Sequence, residues 1–395
     1  MQIFSGGFLG EAVPFKAVEE KLSMVLPRLP VSKVIMGWAG GGSRETRSLY
    51  EKTAVFLEKS NIEFYLWFPV FSETGVLKSL DPLVDLHGRP LESQSGSGKE
   101  ENFSFCCPGS RHNIEKILEI FEEEFSSMPF SGIFLDKIRY PSFAQGQRGV
   151  FSCFCPHCAA EYADPGQVRD ALSGTFSQPL GINGYLGCGT YEFEDPLIME
   201  FFSLKAGFIS RSMQRICRYF REKRLKIGFD VFAPFLAPFV GQDLRALSEL
   251  CDFMKPMMYC ITRAPAGLPF ETEALLCETG CSNPEKRQRF HEILGLDPRK
   301  LPFSLHSQQG EHAPEVNFAA RELANLVNSS SSPIYAGMEI NRKKNLAEVY
   351  PDYIEDAITA YSGAGVRGIV LSWNLLDAPQ ENLVRVGEVI EGMRT

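Results

Sequence analysis

The sequence predicts a (β/α)8 barrel, and three observations carry that expectation. Eight runs rich in Val, Ile, Phe, Tyr and Met alternate with eight stretches whose apolar residues recur at helical spacing. The length of 395 residues suits one large barrel with extended loops. Three long connections all follow strands, so they emerge at the C-terminal mouth where barrel enzymes build their sites.

Strands are expected near Gln2 to Phe8, Val34 to Ala39, Phe64 to Val70, Gly132 to Ile138, Ile227 to Ala233, Phe253 to Tyr259, Ile334 to Ile340 and Gly368 to Asn374. Helices are expected over Val18 to Leu26, Arg44 to Lys59, Asn113 to Phe125, Leu197 to Lys223, Asp243 to Cys251, Glu315 to Val327, Leu346 to Tyr361 and Asn382 to Met393. A barrel core of about 250 residues leaves the rest for insertions after strands 3, 4 and 6, at 72–109, 139–195 and 260–314. The whole chain, 1–395, reads as a single barrel domain, with a zinc-knuckle-like insertion at 139–195.

Composition narrows the function. Hydrophobic residues at 44% and charged residues at 23% supply an ordinary globular core and exclude global disorder. A net charge of −9 has the wrong sign for a protein whose main partner is nucleic acid or an anionic membrane. No apolar run approaches the ~20 residues of a membrane helix, and the N-terminal residues do not read as a signal peptide. The expectation is a cytoplasmic protein with mostly reduced cysteines, no organic cofactor, and room for homo-oligomerisation.

Polar residues at the C-terminal ends of barrel strands converge on one basin. Asp136 ends strand 4, Asp230 lies on strand 5 and Glu339 on strand 7. Hydrolysis of a glycosidic bond needs one carboxyl group to protonate the leaving oxygen and a second to attack carbon or activate water. All three are therefore candidate catalytic residues, each with a plain alternative as a salt-bridge partner of Lys137, Arg139 or Lys255.

The three tryptophans, Trp38, Trp67 and Trp373, fall at or near strand ends, where an indole face can stack on a sugar ring. With Arg139, Tyr140, Lys255, Tyr259 and Asn374 they make the expected carbohydrate-binding set. Lys255 carries a second possibility, a Schiff-base nucleophile of a lyase or aldolase, if apolar surroundings lower its pKa. A carbohydrate-binding barrel without turnover is a third.

Cys153-Phe-Cys155-Pro-His-Cys158 is a C-x-C-x-x-C knuckle, and Cys106-Cys107 precedes it on the neighbouring mouth loop. Four thiolates make a closed structural zinc site, so Cys153, Cys155, Cys158 and either Cys107 or Cys106 are expected to hold Zn as scaffold. Gly40-Gly-Gly-Ser43 lacks the ending of a phosphate loop, the histidines are dispersed, and neither H-E-x-x-H nor G-x-S-x-G occurs.

Gly132-Ile-Phe-Leu-Asp-Lys-Ile-Arg-Tyr-Pro141 resembles the G-I-x-x-D-x-I-R-Y-P strand-4 signature of glycoside-hydrolase-like barrel families, and Lys255-Pro-Met-Met-Tyr259 resembles their P-M-x-Y strand. The cysteine pattern is similar to the zinc cluster of family 42 β-galactosidases, a resemblance that implies Cys107, Cys153, Cys155 and Cys158 as the ligands. Family 42 has Asn-Glu where this chain has Asp136-Lys137, which speaks against β-galactosidase activity itself. In α-galactosidase-like barrels a strand-4 Asp is the nucleophile, so the resemblance implies that role for Asp136, with Glu339 or Asp230 as acid/base.

Overall fold

The structure is a computed structural model that describes residues 1–4, 13–37, 44–74, 77–91, 94–95, 102–176, 180–278, 283–297 and 313–394. Eight strands recur between helices: β1 Gln2–Phe4, β2 Lys33–Gly37, β3 Glu63–Pro69, β4 Gly132–Asp136, β5 Lys226–Val231, β6 Phe253–Pro256, β7 Tyr335–Glu339 and β8 Gly368–Ser372. The first six form one curled parallel sheet in sequence order, and β7 pairs with β8 in parallel. Parallel bridges at Met254–Ile334 and Met257–Gly337 link β6 to β7. Between β8 and β1, Ser372 Oγ donates to Gln2 Oε1 at 2.6 Å.

Each strand is followed by a helix on the outer face: α1 Phe15–Val25, α2 Arg44–Glu58, α3 Arg111–Glu124, α4 Pro196–Glu222, α5 Leu244–Ser248, α6 Ala313–Ser329, α7 Pro351–Gly363 and α8 Gln380–Gly392. Starts are set locally. Ser110, Asp195 and Asp243 cap α3, α4 and α5 with side-chain acceptors, and Pro occupies the first turn of α4 and α7. Among the described residues no helix is long and apolar enough to cross a membrane.

The observed strands end earlier than the sequence suggests. Lys137, at φ +54°, takes the chain out of β4 directly after Asp136, so Ile138 is loop and not strand. Residues 5–8 of the expected first strand and the end of the second, with Trp38, lie outside the described residues. The helix expected from Leu346 begins only at Pro351, because Arg342–Lys343 and Ala347–Glu348 pair as a short antiparallel ribbon.

Alternation along the strands sorts their side chains between the helices and the sheet's concave face. Ile35, Tyr65, Trp67, Phe134, Phe253 and Val370 pack there as an aromatic-rich layer, with Tyr335 against them. Phe253 sits edge-on to Tyr65 and Tyr335 at 5.4 Å each and stacks on Phe134 at 5.8 Å. Gly228 makes that crowding possible, since a Cβ there would lie 2.3 Å from the Phe253 ring. Two residues further along the same strands come Asp136, Asp230, Lys255 and Ser372, which replace the apolar layer with a polar one at the C-terminal end.

Candidate active site and cysteine centre

The polar layer is a connected network. Lys255 Nζ, fully buried, lies 3.0 Å from Asp230 Oδ2, 3.4 Å from Gln2 Oε1 and 2.5 Å from the Tyr259 hydroxyl. Gln2 Nε2 donates to the same Asp230 oxygen at 3.4 Å. Gly337 gives the lysine its place, because a Cβ there would meet Lys255 Cε at 2.4 Å. The second carboxylate oxygen, Asp230 Oδ1, is buried and accepts no hydrogen bond. Asp136, half-buried at the end of the neighbouring strand, accepts from Trp67 Nε1 at 3.0 Å through Oδ2 and from its own strand-end neighbour, Lys137 N–H, at 2.5 Å through Oδ1.

Asp230 feels the charge of Asp136. Burial pushes the Asp230 carboxyl up to about 7, Lys255 opposes that rise, and the charge of Asp136 adds to it. Lys255 is held above the ordinary lysine range: burial alone would lower it, but Asp230 and Tyr259 outweigh the desolvation. A lysine kept charged by a buried carboxylate is the opposite of a Schiff-base nucleophile, which needs a free amine. The lyase or aldolase expectation is therefore corrected by the ion pair.

Glu339 ends β7. Its carboxylate is fully buried, with Oε1 accepting from Ile261 N–H at 2.6 Å and Oε2 from the Tyr353 hydroxyl at 3.0 Å. Both oxygens serve the junction between the loop after β6 and helix α7. Burial raises its carboxyl from 4.5 to about 7, with the Ile261 N–H opposing the rise. The folded protein thus keeps a proton that the unfolded chain releases near 4.5, so this contribution to stability is present below that pH and is lost as pH rises to about 7. Glu339→Gln, which cannot ionise, is expected to escape this loss, so that its stability relative to wild type rises between pH 5 and pH 8 by on the order of 3 kcal/mol for a shift of that size. Urea unfolding at the two pH values checks this, and an unchanged pH dependence contradicts it.

Several expected sugar contacts have other occupations. Trp67 is 6% exposed and packs inside the concave face, so it positions Asp136 and offers no stacking platform. Arg139 is buried between the rings of Phe105 and Phe232, at 4.8 and 4.5 Å, and its Nη1 donates to Tyr140 O. Tyr140 is buried beneath the Lys205 ammonium, 4.2 Å from its ring. Asn374 caps the short turn Leu375–Asp377 and donates to Asp377. Trp373 is half-buried and edge-on to Tyr259 at 6.2 Å, so an indole remains at the margin of the polar layer.

Three residues of the site escape a motif reading. Gln2 and Ser372 belong to the polar layer by strand alternation alone, a signal present in the sequence but carried by unremarkable residue types. Glu271, buried in the helix Leu268–Glu278, accepts from Ala266 N–H and faces Arg139, Lys137 and Ser142, which ties the insertion after β6 to the loop after β4. Nothing in its local sequence marks it.

The second centre is the cysteine group. The Sγ atoms of Cys107, Cys153, Cys155 and Cys158 all lie within 4.8 Å of one another and all four residues are buried. Cys107 is 3.4 Å from Cys158 and 3.7 Å from Cys155, close to the ~3.8 Å edge of a tetrahedron with 2.3 Å metal–sulfur bonds. Cys107, not Cys106, completes the set. The loops are fixed independently: Cys107 N–H donates to Asp81 O, Asn113 Nδ2 to Cys107 O, and Phe154 N–H to Val84 O. Val84 and Cys158 N–H groups point at Cys153 and Cys155 sulfur, at 3.4 and 3.5 Å. The group can hold a metal ion that prefers four sulfur ligands.

The strands and helices define a mixed α/β fold built on a curled parallel sheet. The chain is similar in structure to the PgaB (BpsB) glycoside hydrolase domain of Bordetella bronchiseptica, with a TM-score of 0.58 at 10% identity over 98% of this chain and 97% of that one. It is also similar to a class V chitinase from Pseudomonas fluorescens Pf-5, with a TM-score of 0.46 at 9% identity over 98% of each chain. A third likeness is to the Bacillus megaterium QM B1551 spore cortex-lytic enzyme SleL, with a TM-score of 0.46 at 8% identity over 98% of this chain and 72% of that one. No family model matches the sequence, and no curated protein does.

Proposed function

We propose that the eight strands close into a (β/α)8 barrel whose polar end is the active site of a glycoside hydrolase acting on a small oligosaccharide or glycoside. The β6–β7 bridges and the Gln2–Ser372 hydrogen bond support closure. The observation that carries the functional reading is the pairing of two carboxylates from adjacent strands in unlike surroundings. Asp136 accepts two N–H donors and reaches toward solvent. Asp230 is 4% exposed, raised to about 7, and has one oxygen without a partner.

That division suits two roles. Asp230, raised toward neutrality, takes up a proton as pH falls below about 7 and can then give it to the departing glycosidic oxygen, with Lys255 and Gln2 holding the carboxyl in place. Asp136, oriented by Trp67, is then the nucleophile or the carboxylate that stabilises positive charge developing at the anomeric carbon. Trp373 and Tyr259 supply aromatic surface for the sugar. Likeness in fold to a glycoside hydrolase domain supports the class of reaction.

The four cysteines are proposed to bind structural zinc. All four positions are taken by protein sulfur, leaving none for a reacting water, so the metal would pin the loops 72–110 and 139–195 beside Asp136. The functional test is an assay of the wild type and Asp136→Asn against a panel of aryl glycosides. Release of the aglycone by the wild type and its loss in the variant support the reading. Binding of sugars with no turnover by the wild type contradicts it.

A further inference from the structure

Helix α4 carries a lysine whose surroundings do not explain it. Lys205 is 0% exposed, and its ammonium donates to the Val150 carbonyl, three residues before Cys153. Around it stand only aromatic faces, with ring centres of Tyr140 at 4.2 Å, Phe201 at 5.1 Å and Phe202 at 5.8 Å. No carboxylate pairs with it among the described residues. Taking an ammonium out of water costs several kcal/mol unless an anion answers it, and one carbonyl with cation–π contacts covers only part of that.

Burial pushes the Lys205 amine well below the ordinary lysine range, and the groups that oppose that fall are the sulfurs of Cys153 and Cys158. The same face of α4 runs along the whole centre. Phe208, one turn on, packs at Gly109, where an added Cβ would touch both its ring and Cys158 Sγ. Ser212, a further turn on, donates to Pro108 O, next to Cys107, at 2.6 Å. Residues at i, i+3 and i+7 of one helix therefore meet the two chain segments that carry all four sulfurs.

We propose that Lys205 is the built-in counter-charge of the cysteine centre: four thiolates on a divalent ion carry a net charge of −2 in a buried site, and the Lys205 ammonium neutralises part of it. The inference rests on the reading that the cysteines hold a metal. It assigns Lys205 to positioning and charge balance, not to ligation. It also accounts for a cation kept in an aromatic shell, since the same apolar shell that makes an unanswered charge costly strengthens its attraction to the dianion.

The test compares zinc affinity, by competition with a chromophoric chelator under reducing conditions, in four folded proteins: wild type, Lys205→Met, Cys153→His, and the double variant. Cys153→His replaces a thiolate by a neutral ligand and lowers the charge of the centre by one. Lys205→Met is expected to weaken zinc binding 10- to 100-fold in the four-cysteine protein, the range typical of groups that support metal ligands. In the Cys153→His background the loss should shrink to under threefold. An affinity within twofold of wild type, or an equal loss in both backgrounds, overturns the proposal. Should Lys205→Met fail to fold with four cysteines yet fold beside Cys153→His, charge balance is supported. Failure in both backgrounds assigns Lys205 to packing and overturns it. A wild type that binds no metal removes the centre itself, a result visible before any lysine variant is made.

Discussion

Asp136→Asn is expected to lower kcat/KM on an aryl glycoside by at least 10²-fold and by as much as about 10⁴-fold, with little change in folding. The substitution keeps the shape and one acceptor oxygen, so the Trp67 N–H can still be satisfied while the negative charge is lost. That charge is what either proposed role requires, whether bond formation to the anomeric carbon or electrostatic stabilisation of an oxocarbenium-like transition state. A loss confined to KM would instead assign Asp136 to binding. Kinetics on wild type and variant, with a melting curve to show that the variant is folded, distinguish the two.

Metal removal has the second large effect, on stability. Structural zinc in four-cysteine sites contributes apparent binding energies of about 10–16 kcal/mol in small domains, all of which couples to folding of the loops that carry the ligands. Here those loops are the connections after β3 and β4, and they border Asp136 through Lys137, Arg139 and Phe105. Incubation with a strong chelator under reducing conditions is expected to lower Tm by about 10 °C or more, at roughly 2 °C per kcal/mol for a chain of this size. Cys155→Ser should do the same without chelator. Calorimetry of the loaded and stripped protein checks this, and identical melting curves would contradict a structural metal.

Much of the fold was legible because βα alternation is written into the sequence as two periodicities. All eight strands and their helices fall near the expected positions, and the errors lie at element ends, the ends of strands and the start of the helix expected from Leu346, where tertiary contacts decide. Lys137 illustrates this: Asp136-Lys-Ile reads as continuing strand, yet a left-handed residue turns the chain so that Asp136 faces inward and the loop can reach the cysteine centre. The cysteine set was legible from spacing, since C-x-C-x-x-C constrains three sulfurs before any fold is known. Selecting Cys107 over Cys106 needed the strand pairing that aims one sulfur inward.

The site was legible only in part. Asp136, Asp230 and Glu339 all stand out as acids at strand ends, but sequence does not show which oxygens are already taken, as those of Glu339 are by Ile261 and Tyr353. Arg139 and Tyr140 look like ligands because polar and aromatic residues after a barrel strand often are. Here the loop folds back, and they become its core. Lys255 seemed a candidate nucleophile until its partner two strand positions from Gly228 was seen to be Asp230.

Asp230 is proposed as the proton donor beside Asp136. The pH dependence of kcat/KM on an aryl glycoside tests it most directly, in the wild type and in Asp230→Asn. The account predicts that wild-type activity falls away above pH about 7 as Asp230 loses its proton, and that this alkaline limb disappears in the variant along with most of the activity. An alkaline limb that persists unchanged in Asp230→Asn, at undiminished turnover, would assign the proton to another group and contradict the account.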